Sequence, residues 1–191
     1  MPEEVNDKIR EACNVLKAGG TLLYPADTVW GIGCDATNAD AVRKISELKG
    51  RAAIKSYVCL VANDGMLQRY VPHIPEVAWE LVDATTTPLT LVLPDAQNLP
   101  QEALAPDGSG AFRIVREGIA NKLLTRYGKP IISTSANVSG EPFPRNYSEV
   151  APSILYGVDY DLILQPEPVL TGKPSAIIKL GAGGEVEIIR N

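Results

Sequence analysis

Apolar positions recur along the chain in two periods, and the switches between them lay out the elements. Val5, Ile9, Cys13 and Leu16 share one helical face within residues 4–18, and Gly19-Gly20 ends that run. Thr21-Leu22-Leu23-Tyr24 reads as a short strand closed by Pro25. The stretch from Pro25 to Asp35 is dense in glycine and polar residues and reads as a loop. Helical spacing returns with Val42, Ile45 and Leu48, predicting a helix over 38–49 with Asn38 as N-cap and Gly50 as its stop. A strand at 57–61, helices near 63–70 and 75–84, and a strand at 88–93 follow. A Pro-, Asp- and Gly-rich loop (94–110) then leads to a strand at 111–115 and a helix at 117–127 ended by Gly128. After a strand that opens at Pro130 come a bend at 141–145, a helix near 146–156, and apolar runs at 162–164, 175–180 and 186–190. The last two are spaced like a hairpin. Helices and strands interleave throughout. The expectation is one α/β domain of α+β character over residues 1–191. Its twisted, mixed sheet would hold parallel and antiparallel neighbours and be flanked by helices.

The stretch Pro130-Ile131-Ile132-Ser133-Thr134-Ser135-Ala136-Asn137 changes character abruptly. Two β-branched residues suited to a sheet interior give way to three hydroxyls and a carboxamide. A buried hydroxyl must find a partner or cost a few kcal/mol, so packing alone is a poor reason for such a run. At the carboxyl end of a strand, small polar groups and free backbone N–H groups bind anions. The competing reading is a Ser/Asn-rich turn leading to the next helix, capped by Asn146 or Ser148.

Composition narrows the classes. The chain has 191 residues, 45% of them hydrophobic, and its mean hydropathy is near zero. No apolar run approaches the ~20 residues that span a bilayer, and the acidic start lacks the apolar core of a signal peptide. A cytoplasmic protein with no membrane partner is the expectation. The net charge of −5 argues against a general nucleic-acid coat, so any anion site must be local. Three scattered cysteines and one histidine make neither a disulfide framework nor a metal cage; Cys13, Cys34 and Cys59 read as small buried apolar residues.

Several chemistries are excluded. No segment fits the phosphate loop, since Gly172-Lys173 is followed by Pro174. Gly31-Ile32-Gly33-Cys34-Asp35-Ala36 matches G-x-G-x-x-A but lies too far beyond the preceding strand for a dinucleotide turn. There is no G-x-S-x-G, and a serine triad would rest on His73 alone, placed between Pro72 and Ile74. A chain so poor in general bases suits a nucleophile that is already anionic. Displacement at a nucleotide phosphate, driven by positioning and charge neutralisation, fits that description. Cations for it are present: Lys49, Arg51 and Lys55 lie within seven residues, and Arg113 sits mid-strand between Phe112 and Ile114. Lys49 and, less well, Arg51 also have a plain explanation as charges beyond a helix C-terminus. A guanidinium emerging from an apolar strand instead wants an anion.

Taken together, Tyr24-Pro25-Ala26-Asp27-Thr28-Val29-Trp30-Gly31-Ile32-Gly33, Lys49-Gly50-Arg51, Pro88-Leu89-Thr90, Ser133-Thr134-Ser135-Ala136-Asn137, Lys173-Pro174-Ser175-Ala176-Ile177-Ile178 and Ile189-Arg190 resemble the YrdC-like threonylcarbamoyl-AMP synthases. Each piece is weak alone; their order and spacing cover essentially the whole chain. The resemblance implies an enzyme that joins L-threonine, bicarbonate (or CO2) and ATP into threonylcarbamoyl-AMP and pyrophosphate. Partner proteins then transfer the threonylcarbamoyl group to the tRNA adenosine beside the anticodon. It also implies a concave, positively charged sheet face. Its Lys-x-Arg signature falls on Lys49 and Arg51, and with Lys55 these are the expected catalytic cations. Thr28, Arg113, Ser133 and Ser175 match positions that hold threonine. Arg51, Lys55, Ser135, Asn137 and Arg190 match the nucleotide site, with Mg2+ carried by ATP and no metal ligands of the protein's own.

Departures fall at Ala52 and Ser56, where proline commonly stands, at Thr87 in place of a glycine, and at Val115 in place of a proline. They touch loop rigidity more than charge. The chain resembles the short form of the family, without a carboxyl-terminal second domain. Two other readings stand beside the synthase: a non-catalytic double-stranded-RNA- or ribosome-binding module using the same concavity, and a carbamoyltransferase of hydrogenase maturation, whose zinc-finger and acylphosphatase segments have no counterpart here.

Overall fold

The structure, a computed structural model, describes residues 3–50 and 57–191. Helix α1 (Glu3–Lys17) carries acidic residues in its first turn and Lys17 in its last, matching the helix dipole, and buries Ile9, Ala12, Cys13 and Leu16. Strand β1 (Thr21–Pro25) turns directly into β2 (Trp30–Asp35). Helix α2 (Ala39–Leu48) starts at Asn38, whose side chain accepts from the Asp40 and Ala41 N–H groups, and ends before Gly50 at φ +61°. Then come β3 (Val58–Val61), α3 (Asp64–Gln68), α4 (Glu76–Ala84), β4 (Leu89–Leu93), a 3-10 turn at Gln101–Ala103 and β5 (Gly110–Ile114). Helix α5 (Gly118–Tyr127) closes on the left-handed Gly128, and β6 (Ile131–Ser135) follows. The remainder holds a 3-10 turn at Tyr147–Glu149, α6 (Pro152–Leu155), β7 (Tyr160–Asp161), β8 (Ala176–Leu180) and β9 (Val186–Arg190).

The strands form one mixed sheet in the order β7-β1-β2-β6-β3-β5-β4-β8-β9. The pairs β1/β7, β3/β5 and β4/β8 are parallel and the other neighbours antiparallel. This is the expected α/β architecture, and β8 and β9 make the expected hairpin. Helices α1, α2 and α5 pack against strands among β1–β3, and Ile32, Ile132, Cys59 and Phe112 are buried to 2% exposure or less. The three cysteines are free and buried, as expected, and burial pushes the Cys59 thiol up to about 12. Among the described residues, no helix is long and apolar enough to cross a membrane.

Three expectations need correction. The supposed loop at 25–35 contains β2, an entirely buried strand. Its glycines are there for close approach: a Cβ on Gly33 would sit 2.3 Å from the Ile132 carbonyl oxygen and 3.0 Å from the Tyr24 ring. The supposed helix at 146–156 is two short pieces, because Val150 is extended and Pro152, which lacks an N–H, opens α6. Asn146 does act as a cap, accepting from the Glu149 N–H at 3.2 Å, but of the 3-10 turn only. The strand expected at 162–164 is β7, displaced to Tyr160–Asp161; Leu162 adds one hydrogen bond to Leu23.

Candidate functional site

Sheet register decides which side chains share a face, because alternate residues point to opposite sides. Ser133 pairs with Gly33 on one side and Val58 on the other, Leu60 pairs with Arg113, and Ile177 pairs with Arg190. Period two then places Tyr24, Gly31, Gly33, Ser133, Ser135, Arg113, Thr90 and Arg190 on one face. The opposite face carries Ile32, Ile132, Cys59 and Phe112 of the core. On the polar face lies a cavity of about 570 Å3 lined by Thr28, Arg113, Ser133, Ser135, Ser175 and Arg190 together with apolar residues. Six expected site residues, drawn from the length of the chain, therefore meet in one hollow.

Several of them are held from behind by partners in the wall. Tyr24, buried on β1, crosses the two glycines of β2 and donates its hydroxyl proton to Ser133 Oγ at 2.7 Å. Burial is the main reason its phenol is pushed up to about 12, so it stays protonated and can donate. Ser175 shares a 2.7 Å hydrogen bond with Thr90, which is wholly buried on β4. Arg113 places Nη2 2.9 Å from Asp27 Oδ1 and Nη1 3.5 Å from Thr28 Oγ1. Arg190 donates Nε and Nη2 to the Ser175 carbonyl oxygen at 3.0 and 2.7 Å. Partial burial of its guanidinium draws its pKa below the ordinary arginine value.

Lys49 and Asn137 lie outside the lining. Lys49 is 1% exposed, and its ammonium donates to the Ser135 carbonyl at 2.7 Å, to the Asn137 carbonyl and to Asn137 Oδ1 at 3.0 Å. Its position after α2 suggests a solvated charge on the helix dipole; the structure shows it turned inward. Asn137 Oδ1 also accepts from the Ser135 hydroxyl, and its amide donates to the Val138 and Glu141 carbonyls. These two residues fold the turn after β6. Arg51 and Lys55, like Ala52 and Ser56, lie outside the described residues; Lys49 and the cavity-lining Tyr57 stand on either side of them.

The partners Tyr24, Asp27 and Thr90 carry no role in sequence reasoning, although each stands in a quoted motif. The one signal was the pairing of an aromatic on β1 with glycines one strand away. A segment near the carboxyl end completes the wall: Thr171 N–H donates to the Asp27 carbonyl at 3.2 Å and Gly172 N–H to the Thr28 carbonyl at 2.9 Å. Beyond Asp27 and Ala26 is a larger cavity of about 730 Å3, lined by Thr85–Pro88, Arg116, Glu117 and Pro168–Thr171. It holds none of the expected residues, so the smaller hollow is the candidate site. Among the described residues, no cluster of three or more His, Cys, Asp or Glu could hold a metal.

Comparison with known proteins identifies relatives of the whole chain. The Sua5/YciO/YrdC family profile, described as telomere recombination, matches residues 14–191. The threonylcarbamoyl-AMP synthase of Halorhodospira halophila is 30% identical over 181 residues, covering 90% of this chain and 94% of that protein. The Pyrococcus abyssi synthase is 33% identical over 174 residues, which is 91% of this chain and 51% of its relative. A crystal structure of P. abyssi Sua5 complexed with L-threonine superposes with a TM-score of 0.82 at 31% identity, over 90% of this chain and 50% of that one. The chain thus spans nearly all of the bacterial relative and about half of the archaeal one.

Proposed function

The chain belongs to the Sua5/YciO/YrdC family, and from that premise we propose that it is an L-threonylcarbamoyladenylate synthase, an ATP-dependent nucleotidyltransferase of the cytoplasm. The observation that carries this reading is the convergence of Thr28, Arg113, Ser133, Ser135, Ser175 and Arg190 on one cavity, in a chain similar to a protein crystallised with L-threonine.

In this reading the threonine carboxylate pairs with Arg113, while its hydroxyl and amine meet Thr28, Ser133 and Ser175. The threonine ammonium gives up a proton to solvent; the free amine then adds to CO2, releasing a second proton to solvent, or displaces water from bicarbonate, and either route gives a carbamate. A carbamate oxygen then attacks the α-phosphorus of ATP. The new O–P bond forms as the bond to the β-phosphate bridging oxygen breaks, and pyrophosphate leaves. Because the nucleophile is an anion, no side-chain base is needed for that attack. Ser135 and Arg190, with Arg51 and Lys55, hold the nucleotide and neutralise its phosphates. Lys49 and Asn137 shape the turn that presents Ser135. Mg2+ takes oxygen ligands, largely phosphate and water. The described lining offers hydroxyls and no carboxylate, which fits an ion brought in on ATP and supplying charge neutralisation there. The mixed anhydride then passes to transfer proteins that act on tRNA.

The test is release of pyrophosphate from ATP. It is expected to require both L-threonine and bicarbonate and to be lost in Arg51→Ala. Release indifferent to threonine defeats the substrate assignment, and salt-resistant tRNA binding without ATP turnover favours the RNA-binding alternative.

A further inference from the structure

The cavity presents two guanidinium groups in different electrostatic settings. Arg190 is anchored by a neutral group, the Ser175 carbonyl, so it keeps its full positive charge. Arg113, whose side chain is 6% exposed, faces a carboxylate: Asp27 Oδ1 lies 2.9 Å from Nη2. The contact is one of charge more than of hydrogen bonding, since Asp27 Oδ1 is buried without a well-aligned donor. The Asp27 backbone is fixed in turn by the Thr171 N–H. One cationic subsite therefore has a net charge near +1 and the other near zero.

We propose that Asp27 is a specificity-determining residue: by neutralising Arg113 it makes the amino-acid subsite select a zwitterion over a simple anion. This deepens the synthase reading and rests on it. A site that must seat an amino acid beside a polyanionic nucleotide faces a sorting problem. A lone buried guanidinium attracts phosphate oxygens as readily as a carboxylate, because attraction between charges rises as water is excluded. With Asp27 beside it, an incoming anion meets repulsion as well as attraction. A molecule carrying both a carboxylate and an ammonium has no net charge, and its ammonium is no longer repelled by an unbalanced guanidinium. Rejecting the wrong ligand by a built-in repulsive element is a general route to specificity. Asp27 acts through Arg113 and needs no direct contact with the reacting atoms.

The experiment compares L-threonine with 3-hydroxybutyrate, which lacks the ammonium, and with threoninol, which lacks the carboxylate. Each is titrated calorimetrically into the wild-type protein with a non-hydrolysable ATP analogue present. Both analogues are expected to bind at least tenfold more weakly than threonine. In Asp27→Asn, threonine is expected to weaken several-fold while 3-hydroxybutyrate gains at least tenfold relative to it, and pyrophosphate becomes a competitor of threonine. A purely structural role would weaken every ligand alike. The proposal is overturned if 3-hydroxybutyrate matches threonine in the wild type, a result that needs no variant to fold. It is equally overturned if folded Asp27→Asn leaves the ratio of the two unchanged. If the wild type does not bind threonine, or Arg113→Ala leaves threonine affinity intact, the synthase reading itself fails and takes the proposal with it.

Discussion

At Lys49 an ammonium sits among carbonyl and carboxamide oxygens of the turn after β6, out of reach of bulk water. Removing the charge while keeping the bulk strands those oxygens without their donor. Lys49→Met is therefore expected to lower stability by ~3 kcal/mol, in the range for hydrogen bonds to buried charged groups. Urea unfolding measures it; an unchanged midpoint refutes the reading of Lys49 as a clamp. Tyr24 is a gentler case. Tyr24→Phe removes one O–H donated to Ser133 and keeps the ring, so ~1 kcal/mol of stability is at stake. Its expected signature is a several-fold rise in the KM for threonine with the KM for ATP unmoved.

Between strands, the glycines of β2 show how an element can be misread. Gly31 and Gly33 look like loop residues because glycine weakens a strand. Here they clear a path for the Tyr24 ring between β1 and β6. Gly33→Ala would drive a Cβ to 2.3 Å from the Ile132 carbonyl, and is expected to cost about 2 kcal/mol or more, read as a lowered melting temperature. Elements whose signals are local were legible in the sequence: Asn38 capping α2, Gly128 ending α5, the β8–β9 hairpin. The site was legible where a hydroxyl or guanidinium broke an apolar run, as at Ser133 and Arg113. What stayed hidden needs register to be seen. Thr90 and Ser175 are 85 residues apart and meet only because β4 and β8 are adjacent. Likewise Lys49 turns inward only because the turn after β6 lies against the end of α2.

For the molecule as a whole, acid sensitivity follows in part from a buried carboxylate at the end of β2. Burial works to raise the Asp35 pKa, but hydrogen bonds from Tyr127, Thr37 and Lys129 outweigh it and hold the carboxyl below its ordinary value. A depressed folded-state pKa contributes stability that is fully present above the unfolded value of about 3.9 and is lost as pH falls through the folded one. The wild type should therefore weaken below about pH 4. Asp35→Asn should be less stable at pH 7 but flatter across that acid range, as denaturant midpoints at several pH values will show.

Strand β9 has a different consequence. Every residue of it is exposed, it forms the rim of the sheet, and its pairing with β8 is irregular beside Arg190. Such a rim frays at temperatures where the interior stays intact. In the nucleotide-holding role proposed for Arg190, which travels with this strand, warming should abolish nucleotide affinity several degrees before cooperative melting begins. Amide protons of Val186–Arg190 should exchange earliest among the sheet strands, in step with that loss, so that catalysis and unfolding run on separate thermometers.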